Sequence, residues 1–292
     1  MQETDVAVAD GRTLHVYDAG APADEARLVV VWHHGTPNIG APPVPLYPAA
    51  AGLGIRWISY DRPAYGGSSP LPGRDVASAA EDVARITDAL GLDRFAVIGH
   101  SGGAPHALAC GALLSDRVLG VVGVAGLAPF DAAGLSWFDG MAPSGVAAIR
   151  AAAEGRAAKE QYERSASDGE PAFTAADEAA LSGEWAWFLD VVRPAVAAGP
   201  AGLIDDDLAY VGPWGFDVAG ITVPVLLLHG AADKVVPVSH ARWNARRIRG
   251  AELWVRPDAG HISVLDGGAA ALAWLAEVDE RTPDRRGGRA AP

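Results

Sequence analysis

Phe95-Ala96-Val97-Ile98-Gly99-His100-Ser101-Gly102-Gly103 runs from a short apolar stretch, through a serine bracketed by glycines, into a helix-forming segment. A serine with glycine two positions before and two after, leaving a strand and entering a helix, marks a sharp turn that presents a nucleophile. Side chains at the flanking positions would collide with neighbouring backbone, and Gly99 and Gly103 remove that collision. Ser101 is then expected to project its hydroxyl above a sheet, at the N-terminus of the next helix, where negative charge is favoured. The same pentapeptide also arises as a plain turn. Its setting has to decide.

Outward from that turn the chain alternates strands and helices. Val6 and Val8, then Asp10-Gly11, then Leu14 and Val16 read as two alternating strands joined by a tight hairpin turn. Leu28 to Trp32 is a continuous apolar run, as expected of a strand covered on both faces, and Ile55 to Tyr60 is the next strand. Val76, Ala80, Val83, Ile86 and Leu90 recur at spacings of three and four with Glu81, Asp82 and Arg85 between them, which spells an amphipathic helix. Strands at Phe95–Ile98 and Val118–Val124 enclose a helix at Ala104–Leu114. This rhythm predicts a parallel sheet with helices on both faces.

After Pro129 the rhythm breaks. From Phe130 to about Phe216 there is no convincing buried strand, but there are many alanines, several helical stretches and numerous aromatics, among them Trp137, Trp185, Trp187 and Trp214. The pattern resumes with the strand Pro224–Leu228, a helix around His240–Ile248, a strand at Glu252–Val255 and a final helix near Gly268–Val278. A helical insertion in a regular α/β domain is the simplest reading. The tail from Glu280, rich in Arg, Gly and Pro, is expected to be disordered.

The chain has 292 residues, 50% of them hydrophobic and 20% charged, which suits a globular domain with a large core. A net charge of -13 argues against nucleic acid and anionic membrane surfaces as partners. Cys110 is the single cysteine, so no intrachain disulfide forms, and it reads as a small buried thiol. Neither a signal-like N-terminus nor a membrane-length apolar run is visible, so a soluble cytoplasmic protein is expected, as monomer or homodimer.

A serine hydroxyl is a poor nucleophile unless a base sits within hydrogen-bond reach, and that base needs a carboxylate to orient it. His229-Gly230-Ala231-Ala232-Asp233 places an aspartate just past a buried strand, and Asp258-Ala259-Gly260-His261 places a histidine just past the next. Both fall at C-terminal strand ends, where open α/β sheets put their ligands. Each has a plainer reading: Asp233 as a turn support, His261 as a surface histidine. The run Asp205-Asp206-Asp207 is another source of carboxylate, but it reads as a solvated loop. His100, His106, His229 and His240 lack zinc-ligand spacing, so no metal is expected.

The chain resembles the α/β-hydrolase superfamily, in its capped serine-hydrolase (esterase-like) form, over nearly all of residues 12–278. His33-His34-Gly35-Thr36-Pro37 resembles the family's H-G-x-P turn, and Asp61-Arg62-Pro63-Ala64-Tyr65-Gly66-Gly67-Ser68-Ser69 its D-x-x-G-x-G-x-S loop. Gly230 through Pro237 resembles the acid loop, and Gly260-His261 the histidine turn. The resemblance implies a mostly parallel eight-stranded sheet with a helical cap inserted after strand six. It divides the chain into a core at 1–129 and 217–279, a cap at 130–216 and a tail at 280–292.

It further implies Ser101 as nucleophile, His261 as base and then acid, Asp233 as orienting carboxylate, and the backbone N–H groups of Thr36 and Gly102 as an oxyanion hole. No cofactor is called for. His34, Trp137, Trp185 and Trp214 are expected near the substrate, although packing accounts for most cap aromatics and His34 also reads as a support of the oxyanion turn. Serine at the nucleophile position excludes the family's epoxide hydrolases and haloalkane dehalogenases, which attack with aspartate. His-Gly-Thr-Pro departs from the H-G-G-P turn of the related proline iminopeptidases. The expected activity is hydrolysis of a small, apolar or neutral carboxylic ester or related acyl compound. A cofactor-free lyase, a carbon–carbon bond hydrolase and a non-catalytic ligand sensor remain the alternatives.

Overall fold

The computed structural model describes residues 1–8, 10–165 and 173–281. Eight strands form one sheet in the order β1-β2-β4-β3-β5-β6-β7-β8. They are β1 (Gln2–Ala7), β2 (Thr13–Gly20), β3 (Leu28–His33), β4 (Ile55–Tyr60), β5 (Phe95–His100), β6 (Val118–Val124), β7 (Val225–Gly230) and β8 (Glu252–Arg256). β2 runs antiparallel to both neighbours, and every pairing from β4 to β8 is parallel. The hairpin read from Asp10-Gly11 is β1–β2.

The period-two rule divides the strand residues between two cores. Val97, Val121, Val225 and Leu227 face one side, with Val83 and Ile86 of α2 (Ser78–Ala89) and Leu108 of α3 (Gly103–Leu113). Ala96, Ile98, Leu226 and Leu228 face the other, with Ala50 of α1 (Tyr47–Gly52) and Leu272 and Leu275 of α10 (Gly268–Arg281). The remaining helix of the regular part is α9 (Ser239–Arg247).

Strand order decides where a site opens. From β3 the chain steps outward to β4, then crosses back over β3 to β5 and continues the opposite way to β6. Loops after β3 and β5 therefore diverge and leave a crevice at their carboxyl ends, the switch point where such sheets bind ligands. Thr36 follows β3 and Ser101 follows β5, so the two stand on its opposite sides.

Between β6 and β7 the described residues form only helices and turns. These helices are α4 (Pro143–Ala153), α5 (Arg156–Ser165), α6 (Ala175–Ser182), α7 (Phe188–Ala197) and α8 (Ala201–Val211). Two expectations need correction. Asp205, Asp206 and Asp207 form no solvated loop; they lie inside α8 and all three are buried. Glu280 and Arg281 do not begin a disordered tail, because α10 continues through them; the rest of that segment lies outside the described residues. Among the described residues, no single helix is long and apolar enough to cross a membrane.

Candidate active site

Gly99 and Gly103 act as the sequence suggests. A Cβ on Gly99 would strike the Gly103 carbonyl, and one on Gly103 would strike the His33 carbonyl, so only glycine lets α3 start against β3 and β5. Between them Ser101 takes a left-handed backbone with φ 54°, unusual for a residue with a side chain and typical of strained functional turns. Its N–H donates to Val124 O at 2.8 Å, which ties the turn to β6.

Ser101 Oγ lies 2.9 Å from His261 Nε2, across 160 residues of chain. His261 Nδ1 lies 2.8 Å from Asp233 Oδ2. With its Nδ1–H donated to that carboxylate, the imidazole turns the Nε2 lone pair to the serine hydroxyl. Asp233 Oδ1 is occupied by the N–H groups of Val235 and Val236, at 2.8 and 2.9 Å, which leaves Oδ2 to the histidine. Burial alone would raise the Asp233 carboxyl; charge on His261 and hydrogen bonds from His229 and His261 outweigh it and hold the group well below the usual range. The acid and histidine loops also brace each other, since Ala232 N donates to Ala259 O at 3.0 Å.

Thr36 and Gly102 flank Ser101, and among the described residues neither backbone N–H has a hydrogen-bond partner. Both residues are held by a buried network centred on Asp206 of α8. Thr36 Oγ1 donates to Asp206 Oδ2 at 2.5 Å, and Tyr210 OH donates to Gly102 O at 3.0 Å. Arg62 grips Asp206 with Nε at 3.2 Å and Nη2 at 2.7 Å, and it also donates to the carbonyls of His34 and Gly35. Arg74 reaches Asp206 Oδ1 at 2.7 Å, and Tyr65 OH donates to Oδ2 at 2.9 Å. Burial would raise the Asp206 carboxyl, but the two guanidinium groups hold it well below its ordinary value.

The cavity above Ser101 has a volume of about 390 Å³. Phe173, Leu181, Phe188, Val192, Val235 and Ile262 supply its apolar wall. Four residues expected near substrate do not reach it. His34 is fully buried: Nδ1 donates to Gly35 O at 2.8 Å, and Nε2 accepts the Arg62 N–H at 3.0 Å, so it supports the turn. Burial, with Arg62 nearby, pushes His34 well down and keeps it neutral. Trp137, Trp185 and Trp214 are buried packing residues whose indole N–H groups go to Ala128 O, Asp266 and Tyr210 O. Their size drew attention to them, but a large aromatic on a helical segment packs inward whether or not a pocket is near.

Sequence reading takes Asp206 for part of a solvated loop, and it misses Tyr210 and Asp177. The pattern Thr174-x-x-Asp177 was a legible helix-start signal, and the two residues do form a capping box for α6. Nothing local signalled that the same carboxylate accepts the N–H groups of His261, Ile262 and Ser263. For Asp177, burial raises the carboxyl while hydrogen bonds from Ser263, Thr174 and Ile262 bring it below its usual value.

Three carboxyls lowered by folding predict a specific pH response. Each contributes stability that is present above the unfolded value, about 3.9, and lost as pH falls toward its folded value. The guanidinium midpoint is therefore expected to drop steeply below about pH 4. A midpoint unchanged between pH 7 and pH 3 would contradict the ionic role of all three.

A family model described as alpha/beta hydrolase fold matches residues 29–268. Epoxide hydrolase B of Mycobacterium tuberculosis is 34% identical over 117 residues, 39% of this chain; the matched stretch spans 33% of that relative's length. Among solved structures, a thermophilic esterase from Thermogutta terrifontis superposes with a TM-score of 0.67 at 22% identity, covering 96% of this chain and 100% of its own. The enol-lactonase from Burkholderia xenovorans LB400 gives 0.68 at 20% identity, over 94% and 99%. A bromoperoxidase from Bacillus anthracis gives 0.69 at 20% identity, over 94% and 100%. At such identities these structures speak for the fold alone.

Proposed function

This chain belongs to the alpha/beta hydrolase family, and from that premise we propose that it is a serine hydrolase acting on a small-molecule carboxylic ester or related acyl bond. One observation carries the reading. A hydroxyl, an imidazole and a carboxylate stand in line, at 2.9 and 2.8 Å, at the floor of an apolar cavity.

In the first half-reaction Ser101 Oγ attacks the acyl carbon while His261 Nε2 takes its proton. Asp233 stabilises the imidazolium that results. Negative charge gathers on the former carbonyl oxygen, between the N–H groups of Thr36 and Gly102, and the α3 N-terminus adds a favourable field. Collapse expels the alcohol, which leaves with the proton from Nε2, and the acyl group stays on Oγ. In the second half-reaction His261 takes a proton from water as it attacks the acyl carbon. Ser101 recovers a proton and the acid departs. Every transferred proton passes through one nitrogen.

The epoxide reaction named for the mycobacterial relative does not suit this nucleophile. A serine oxygen opening an epoxide would form an ether, which water activated by an imidazole does not cleave, so the enzyme would stop after one turnover. An acyl-serine has a carbonyl for water to attack.

A fluorophosphonate probe is expected to label Ser101, and p-nitrophenyl acetate, butyrate and hexanoate are expected to be hydrolysed. Each methylene buried against Phe188, Val192 and Ile262 should raise kcat/KM about threefold to fourfold until the cavity is full. Failure of both labelling and turnover would overturn the reading; labelling without ester turnover would redirect it to another bond.

A further inference from the structure

His261 is carried by a loop, and a loop alone leaves an imidazole freer than proton transfer tolerates. Both polar atoms of its backbone are held. Its carbonyl accepts from His100 Nε2 at 3.0 Å, and its N–H donates to Asp177 Oδ2 at 3.1 Å. His100 ends β5, so the first hold belongs to the sheet. Burial, with His261 beside it, lowers His100 to about 3 and keeps it a neutral donor through Nε2. The second hold comes from α6, in the helical segment.

An aspartate at this helical position ordinarily closes a capping box, and that task occupies Oδ2, which accepts from Thr174 N and Oγ1 at 3.0 Å. Oδ1 has no part in it. It accepts from Ile262 N, Ser263 N and Ser263 Oγ, all at 2.8 Å. Gly260 makes the approach possible, because a Cβ there would run into this carboxylate. The same helix brings Leu181 to the cavity wall. A surface that meets substrate and the loop that carries the base thus share one buried anion.

We propose that Asp177 is a positioning residue that sets His261 against Ser101 and ties the alignment of the base to the helical segment over the cavity. The proposal rests on the serine-hydrolase reading above. Asp177→Asn tests it with almost no change of shape. Each carboxylate oxygen faces N–H and O–H donors, so an amide NH₂ in either orientation confronts donors and loses the contacts on that side.

With p-nitrophenyl butyrate, Asp177→Asn is expected to lower kcat about tenfold to a hundredfold and to leave KM within about twofold. Thr174→Ala removes half of the capping box and none of the contacts to residues 261–263; it should lower the melting midpoint and keep kcat within about twofold. In a His261→Gln background there is no base to align, so Asp177→Asn should cost nothing more. An equal loss in both backgrounds, or kcat within about twofold of wild type in Asp177→Asn, overturns the positioning role. Should Asp177→Asn not fold, Ser263→Ala removes one donor to Oδ1 and is expected to lower kcat about threefold; an unchanged kcat there also overturns it. Labelling of wild type keeps the two readings apart. An unlabelled, inactive wild type sinks the hydrolase reading, whereas a labelled, active one with an unaffected Asp177→Asn sinks only this proposal.

Discussion

Ser101→Ala is expected to lower kcat for p-nitrophenyl butyrate by about 10⁶-fold and to leave the fold and KM nearly unchanged. The size follows from what is lost. Without Oγ there is no covalent intermediate, and His261 and Asp233, which act only through it, become idle. On the proposed mechanism, what survives is the pair of N–H donors at Thr36 and Gly102 and the apolar wall, which are expected to keep binding substrate and to leave a residual acceleration of about 10³-fold over water. KM holds because Phe188, Val192 and Ile262 are untouched. Single-turnover kinetics together with loss of fluorophosphonate labelling provide the measurement. Activity within about tenfold of wild type would remove Ser101 from the reaction altogether.

Asp206→Ala is expected to destabilise the protein by about 3–5 kcal/mol. Asp206 is fully buried, and so are the two guanidinium groups that face it, Arg62 and Arg74. Removing the carboxylate leaves two like charges in a dry interior with no counter-ion, the costly way to break a buried ion pair. Activity should suffer beyond stability, because Thr36 Oγ1 donates to this carboxylate and Tyr210, one helical turn along α8, holds Gly102. Displacing one of the two N–H donors costs about 10²–10³-fold in kcat. Urea unfolding and kcat at a temperature where the variant is folded separate the two effects. A loss of stability under about 1 kcal/mol would mean that water, not Asp206, solvates the arginines.

Much of the site was legible because its chemistry is written in short local motifs. Ser101 and Asp233 follow buried strands and His261 follows the edge strand β8, each through a glycine-marked turn, and parallel strands bring their C-terminal ends to one edge whatever else the chain does. The family resemblance singled out Thr36 and Gly102, whose backbone N–H groups have no hydrogen-bond partner among the described residues. Reading by local motif failed for the helical segment. Asp205-Asp206-Asp207 looks like water-loving chain, and its burial is tolerable because each aspartate meets a cation from elsewhere: Arg156 at Asp205, Arg62 and Arg74 at Asp206, and Lys159 at Asp207. Trp185 and Trp214 looked like pocket walls, yet their neighbours are other core residues, whereas smaller Leu181 and Val192 face the cavity.

From the order of residues alone came a serine on a glycine-marked bend, an aspartate and then a histidine behind it, and an alternating α/β frame to carry them, because each depends on neighbours a few positions away. Only the folded chain decided that Asp177 holds the loop of His261, that Asp206 holds the turn of Thr36, and which side chains wall the cavity. Those depend on which face a helix turns inward and on partners 84 to 170 residues distant, and no short stretch of sequence encodes either.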